Sequence, residues 1–297
     1  MNDHEMSKEV EEHIEKKIWD IPYCDQSPSQ ILDIWYPNVE STKPYPVVVH
    51  FHGGGFAFGG HREDSVEPML RAADAGYAVV SVEYRKSGEA RFPAMLYDAK
   101  AAVRFLKSNA AKYHLDAKRI ALWGPSAGGW IAAMTALTPG NPAFEDVEMG
   151  NGEFDSSVAA VVDWCGPCGC FLDMDPAFAE SGRGICDHTG ADSSESRFMG
   201  AALSEIPELV RLANPCVYVN KDMPPFLIMH GDMDAIVPVE QSVCFADAIE
   251  HIAGKEKVEL YIAKGAPHHG RVWWHEPWVA DMVIAYLDRI LKQQNQE

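Results

Sequence analysis

The segment Gly124-Pro125-Ser126-Ala127-Gly128 sets a serine between two glycines, after the apolar run Ile120-Ala121-Leu122-Trp123 and before good helix formers. A strand that breaks through a sharp turn into a helix presents its serine hydroxyl at the turn, ready to attack an acyl carbon. A helix starting there also aims free N–H groups at the point where negative charge develops. A serine hydroxyl is a weak nucleophile at its own pKa and needs a base within hydrogen-bond reach. Two candidate bases, His268 and His269, sit in Gly265-Ala266-Pro267-His268-His269-Gly270. Two candidate acids, Asp232 and Asp234, sit in the segment that runs from His230 to Pro238. Serine, acid and histidine in that chain order is one of the known solutions to acyl transfer. The run His52-Gly53-Gly54-Gly55-Phe56 adds a loop whose N–H groups can converge on an oxyanion, each such donor contributing about 2.7–4 kcal/mol. A phosphate loop is the competing use of the glycines, but no Lys-Ser or Lys-Thr follows them.

These groups need a rigid frame. Residues 31–36 alternate as an early strand, and the β-branched run 47–51 and the run 78–84 read as buried strands. Further strands are expected at 120–124, 158–164, 225–230 and 258–262. Between them, Pro93 opens a helix with Leu96, Ala99, Val103 and Leu106 on one face, and Val243, Ala246, Ile249 and Ile252 mark another. A last helix carries Val279, Met282, Val283, Tyr286, Leu287 and Ile290. Strands alternating with helices predict an α/β architecture, with a mostly parallel sheet covered on both faces and its site at the C-terminal strand ends. Residues 1–17 are expected to form a peripheral helix or a frayed end. Residues 166–222 break the rhythm and are rich in Gly, Asp, Ser and Pro. A structureless loop of that length is improbable in a compact domain, so this stretch is expected to be an inserted cap within one domain spanning 1–297. The cap offers Phe171, Phe178, Phe198 and Met199 but no long apolar groove, which favours a short or aromatic acyl group.

With 44 acidic and 25 basic residues, the chain carries a formal charge of −19. That charge repels phosphate backbones and anionic membrane surfaces, so the expected partner is a small-molecule ester substrate, without nucleic acid or membrane. Seven cysteines leave at least one unpaired in a monomer, and the charged N-terminal segment does not read as a signal peptide. A cytoplasmic location with reduced thiols is expected, and a homo-oligomer is left open. Arg85 and Asp98 are expected to pair. His50, His61, His114, His188 and His251 show no partner pattern and are read as surface or packing residues. Trp273 and Trp274 are read as core anchors or as one wall of the pocket.

The motifs together resemble the α/β-hydrolase carboxylesterases, in particular the hormone-sensitive-lipase-like and bacterial feruloyl-esterase-like (BD-FAE) groups. The resemblance runs from about Leu32 to Leu291 and includes Glu83-Tyr84-Arg85, Phe92-Pro93-Ala94 and Pro224-Pro225-Phe226. It implies an α/β-hydrolase fold with Ser126 as nucleophile. The family's H-G-x-x-D pattern falls on Asp234, and its G-A-G-H-G-G pattern falls without a gap on His268, with Pro267 and His269 as departures. It further implies the N–H groups of Gly54, Gly55 and Ala127 as oxyanion donors, with no cofactor and no metal. The implied activity is a serine carboxylesterase acting on short-chain or aromatic (hydroxycinnamoyl- or acetyl-type) esters through an acyl-enzyme. A peptidase or amidase on the same fold is the alternative, followed by a ligand-binding protein without turnover. The run Trp164-Cys165-Gly166-Pro167-Cys168, with Cys170 after it, matches a thioredoxin signature and raises a dithiol redox reading, a structural disulfide or a zinc-scavenging cluster. The resembling esterases carry W-[FY]-G-P-T there, which makes Cys165 and Cys168 substitutions within another pattern.

Overall fold

The structure, a computed structural model, describes residues 6–292. Eight strands are β1 (Lys17–Pro22), β2 (Ile31–Trp35), β3 (Tyr45–Phe51), β4 (Ala78–Val82), β5 (Leu115–Pro125), β6 (Ala160–Trp164), β7 (Phe226–Gly231) and β8 (Val258–Ala263). They form one sheet in the order β1-β2-β4-β3-β5-β6-β7-β8. β2 runs antiparallel to both β1 and β4, and all other neighbours are parallel. This eight-stranded, mostly parallel sheet is that of an α/β-hydrolase fold.

Side-chain alternation along the central strands divides the core in two. Val47, Val49 and Phe51 of β3 point to one face, with Val80, Leu122 and the helices Ala94–Ser108, Ala127–Leu137 and Glu240–Ile252. Val48, Val79, Ala121 and Trp123 point to the other, against the helices Glu67–Asp74 and Pro277–Leu291. Helix Ala127–Leu137 is buried on every side, which is why its sequence is apolar all round. Among the described residues, no helix is long and apolar enough to cross a membrane.

Three features depart from the expectations. The N-terminal stretch holds the short helix Lys8–Glu12, but Lys17 already opens β1, and residues 1–5 lie outside the described residues. β1 is a half-exposed edge strand with Asp20 at φ 53°, so it lacks the alternation that would reveal it. Helix Glu67–Asp74 went unforeseen as well, although Met69, Leu70, Ala72 and Ala73 are all buried. Within 166–222 the chain forms the helices Met174–Ser181, Ser194–Met199 and Pro207–Leu212, with 3₁₀ turns at Phe171–Asp173, Leu203–Glu205 and Pro215–Tyr218. Its aromatic residues go inward rather than to the substrate side. Phe198 stacks on Phe56 at 4.1 Å, and Phe171 lies 6.1 Å from the Trp130 ring. Phe171, Phe198 and Met199 belong to the core and do not line the main cavity. Burying large rings is the dominant gain available to a short-helix segment.

Candidate active site

Ser126 stands at the junction of β5 and helix Ala127–Leu137 with φ 56° and ψ −124°. This backbone conformation costs a non-glycine residue about 1–3 kcal/mol and persists only where its surroundings enforce it. Here the Ser126 N–H donates to the Trp164 carbonyl at 2.7 Å, and the Ser126 carbonyl accepts from Trp130 N at 3.2 Å. The flanking glycines are required by close approach. A Cβ on Gly124 would lie 2.3 Å from the Gly128 carbonyl carbon, and one on Gly128 would lie 1.9 Å from the Phe51 carbonyl oxygen.

From Ser126 a hydrogen-bond chain runs across two strand ends. Ser126 Oγ is 2.9 Å from His268 Nε2, and His268 Nδ1 is 2.6 Å from Asp234 Oδ2. Asp234 is fully buried. Its Oδ1 accepts from Ile236 N and Val237 N at 2.8 Å each, and its Oδ2 also accepts from His230 Nε2 at 3.1 Å. Burial alone would raise the Asp234 pKa, but the hydrogen bonds from His230 and His268 hold the carboxyl well below the usual carboxylate range. His230 is fixed in turn by Ser242 Oγ at Nδ1, 2.7 Å away.

The other candidates do different work. Asp232 Oδ1 accepts from Gly265 N at 2.6 Å, which ties the turn carrying His268 to the loop after β7. The exposed His269 lines the cavity with its ring centroid 6.0 Å from that of His268. Trp274 takes both roles foreseen for the tryptophan pair. It packs 5.2 Å from Trp164, lines the cavity, and donates from Nε1 to the Pro267 carbonyl at 3.0 Å.

Gly54, Gly55 and Ala127 all line the cavity beside Ser126, and among the described residues none of their N–H groups donates to a protein acceptor. Gly54 has φ 108° and Gly55 φ 55°, and the Gly54 carbonyl accepts from Ala57 N and Phe58 N, which closes the loop on itself. A charged cluster behind it, not foreseen from the sequence, holds its start. His52 stacks on Tyr84 at 4.2 Å, Tyr84 Oη donates to the His52 carbonyl at 2.8 Å, and His52 Nε2 lies 3.3 Å from Glu83 Oε1. Glu83 also meets His61 Nδ1 at 3.0 Å, and His61 Nε2 lies 3.3 Å from Asp33. Burial lowers the His61 pKa, but its bonds to Asp33 and Glu83 outweigh that and raise it to about 9. His61 and the fully buried His50 are therefore paired core histidines, and so is His188, 3.1 Å from Glu195. The one sequence signal for this cluster was the triplet Glu83-Tyr84-Arg85. Arg85 pairs with Asp98 at 2.8 Å as expected, pinning the end of β4 to helix Ala94–Ser108.

All seven cysteines are free thiols. Burial pushes the Cys165 and Cys168 thiols well above their ordinary pKa, so little thiolate exists at neutral pH. Cys165 Sγ donates to the His268 carbonyl at 3.4 Å. Ligand atoms of Cys165, Asp234 and His268 lie within 4.8 Å of one another, but Asp234 and His268 are spent on each other. Asp20, Asp33 and His61 form a second such group, and the Arg62 guanidinium already occupies it, 2.8 Å from Asp20 and from Asp33 Oδ1.

The cavity over Ser126 measures about 780 Å³. The 166–222 segment contributes Pro167, Cys186, Asp187, His188, Ser194 and Glu195 to its wall, mostly polar residues in place of the phenylalanines expected there.

The chain is similar to known proteins over most of its length. The BD-FAE family matches residues 32–249. Esterase LipC of Mycobacterium tuberculosis is 31% identical over 241 residues, which is 81% of this chain and 57% of that protein. Esterase LipQ of the same organism is 30% identical over 258 residues, covering 84% of this chain and 56% of LipQ. The chain thus spans a little over half the length of these relatives. Among solved structures, a bifunctional GH43-CE protein of Bacteroides eggerthii superposes with a TM-score of 0.81 at 29% identity, over 93% of this chain and 35% of that one. A truncated carbohydrate esterase from gut microbiota gives 0.83 at 26% identity, over 97% of this chain and 99% of that one. With the family matched over most of its length, and a strained serine turn at the centre of its sheet, the chain belongs to the BD-FAE family of the α/β-hydrolase fold.

Proposed function

We propose that the protein is a serine carboxylesterase that cleaves carboxylic esters through an acyl-enzyme. The observation that carries this reading is the continuous chain Ser126 Oγ–His268–Asp234, joined at 2.9 and 2.6 Å. In it, His268 Nε2 takes the Ser126 proton as Oγ bonds to the acyl carbon, then gives that proton to the departing alkoxide oxygen. A water activated by the same nitrogen then attacks the acyl-enzyme and releases the acid. Asp234 holds Nδ1–H toward itself and balances the imidazolium charge. The N–H groups of Gly54, Gly55 and Ala127 receive the oxyanion of both tetrahedral intermediates.

Segment 166–222 acts as a cap within one domain, and its docking supports this. Ile185 N donates to Ala235 O at 3.0 Å beside the Asp234 loop, and Ser194 abuts Gly55 of the glycine loop. The substrate class is short-chain or aromatic esters, of acetyl or hydroxycinnamoyl type, which a cavity of about 780 Å³ accommodates. An ester carried on a carbohydrate is the form favoured by the polar cap wall, and one of the similar solved proteins is described as a carbohydrate esterase. A cytoplasmic location accords with the seven unbridged thiols. Turnover of 4-nitrophenyl esters of increasing acyl length, beside methyl ferulate and an acetylated xylo-oligosaccharide, tests the reading. Hydrolysis falling steeply beyond short acyl chains is expected. Absence of hydrolysis on the whole set, with a folded protein, would refute it.

A further inference from the structure

A second hollow of about 450 Å³ lies on the far side of the ridge that walls the main cavity. Loop 54–59 and helix Ser194–Met199 form this ridge. On the loop, Gly54 and Gly55 face the main cavity and Ala57 faces the second hollow, while Phe58 lines both. On the helix, Ser194 and Glu195 face the main cavity, and Ser196 and Arg197 the second. Phe58 is 67% exposed, so a substrate lying across it meets a bare aromatic surface between the two.

Arg91 and Arg197 line the second hollow, and no acidic side chain does. In a chain with 44 acidic and 25 basic residues, that local excess runs against the overall charge. Among the described residues Arg91 makes no ion pair, and the nearest carboxylate to Arg197 is the exposed Asp192 at 3.8 Å, a contact that water weakens. Arg91 is nevertheless placed. Phe92 N donates to Phe198 O at 2.9 Å, and the Arg91 stem lies over Gly200, where a Cβ would meet its Cδ at 2.6 Å. Ser196, a residue only 1% exposed, also lines this hollow, and its buried hydroxyl has no hydrogen-bond partner among the described residues.

We propose that this hollow is an anionic subsite, in which Arg91 and Arg197 bind a carboxylate or sulfate group borne by the substrate some way from its scissile ester. Guanidinium forks form paired, charge-assisted hydrogen bonds with planar oxyanions, and Phe58 offers its face to the intervening ring. Because the molecule as a whole repels anions, the preference is local to this pair. The inference rests on the esterase reading for the position of the ester, and its test separates the two.

The test compares kcat/KM on an acetylated uronate-bearing xylo-oligosaccharide, its carboxyl-reduced counterpart, and a sulfated acetyl oligosaccharide beside its neutral parent. The wild type is expected to prefer at least one charged substrate over its neutral counterpart by about tenfold or more, the gain of one charge-assisted pair. The double variant Arg91→Gln/Arg197→Gln loses that preference through KM, with 4-nitrophenyl acetate turnover unchanged. Titration calorimetry of the unacetylated acidic oligosaccharides against folded Ser126→Ala reads the subsite without turnover. Saturable binding that the two arginine changes abolish is expected. If 4-nitrophenyl acetate is not hydrolysed while this binding persists, the esterase reading fails and the subsite stands. Equal kcat/KM on charged and neutral substrates, or equal binding with and without the arginines, overturns the subsite.

Discussion

Replacing Asp234 by Asn tests the logic of the site at one atom. All four groups that face the Asp234 carboxylate are donors: Ile236 N, Val237 N, His268 Nδ1 and His230 Nε2. The His230 nitrogen also faces the Val237 carbonyl at 3.0 Å, which fixes it as an N–H. An asparagine has one acceptor oxygen and one donor nitrogen. Its oxygen must turn to the two backbone N–H groups, because they have no other protonation state, and its NH₂ then faces His268 Nδ1. The imidazole answers by moving its proton to Nε2, where it points at Ser126 Oγ and can no longer accept the serine proton. A wrong tautomer in this position costs about 10⁴ in kcat, or about 5.5 kcal/mol of barrier. His230 keeps the Val237 carbonyl, so the loss of stability is expected to be only about 1–2 kcal/mol. Because the native carboxyl titrates well below the usual range, the gap in rate should persist across the whole neutral region. The assay is kcat on 4-nitrophenyl acetate from pH 6 to 9, with circular dichroism and a urea midpoint as controls. A folded Asp234→Asn protein that retains kcat within tenfold of wild type would refute the reasoning.

The adjacent histidines are expected to separate cleanly. His268→Ala should lower kcat by about 10⁴ or more and His269→Ala by about tenfold or less, read on the same ester; the reverse order would move the base by one residue. Cys165→Ala with Cys168→Ser is expected to leave kcat within about threefold, since both thiols are buried and protonated, whereas loss of turnover in a folded protein would revive a redox or metal role. His61, raised to about 9 in the fold against an ordinary value near 6.5, contributes stability that is complete below about pH 6.5 and lost as pH climbs through about 9. Urea midpoints at pH 6 and pH 9.5 should therefore show wild type losing on the order of 2–3 kcal/mol relative to His61→Gln, and parallel losses in the two proteins would contradict the pairing. The comparison with the variant matters because Lys100, lowered to about 8 by burial in spite of Glu145, gains stability over the same range.

The sequence revealed most where one pattern had one physical solution. A β-branched run such as residues 47–51 serves only as a buried strand, and glycines at 124 and 128 answer contacts that no Cβ could survive. The candidate triad was legible by the same logic, down to two acids and two bases. What separated Asp234 from Asp232, and His268 from His269, was where each loop turned, and spacing alone does not encode that. β1 escaped notice because an edge strand buries little, and helix Glu67–Asp74 because its apolar face fills barely two turns. The network of Asp33, His61, Glu83 and His52 joins residues from four separate stretches, so no local pattern announces it. In 166–222 the phenylalanines read as pocket residues in sequence, yet burying their rings anchors the segment and leaves the polar residues facing the cavity.

The central claim is that Ser126 carries the acyl group, and labelling tests it most directly. A fluorophosphonate reacts with an activated serine hydroxyl, displaces fluoride and leaves a phosphonyl ester that intact-protein and peptide mass spectrometry can locate. One phosphonyl group per chain is expected, on the peptide containing Ser126, with hydrolysis of 4-nitrophenyl acetate lost in proportion to labelling and no label on folded Ser126→Ala. Full hydrolysis in a protein that takes up no label, or stoichiometric label on a residue other than Ser126, would contradict the account.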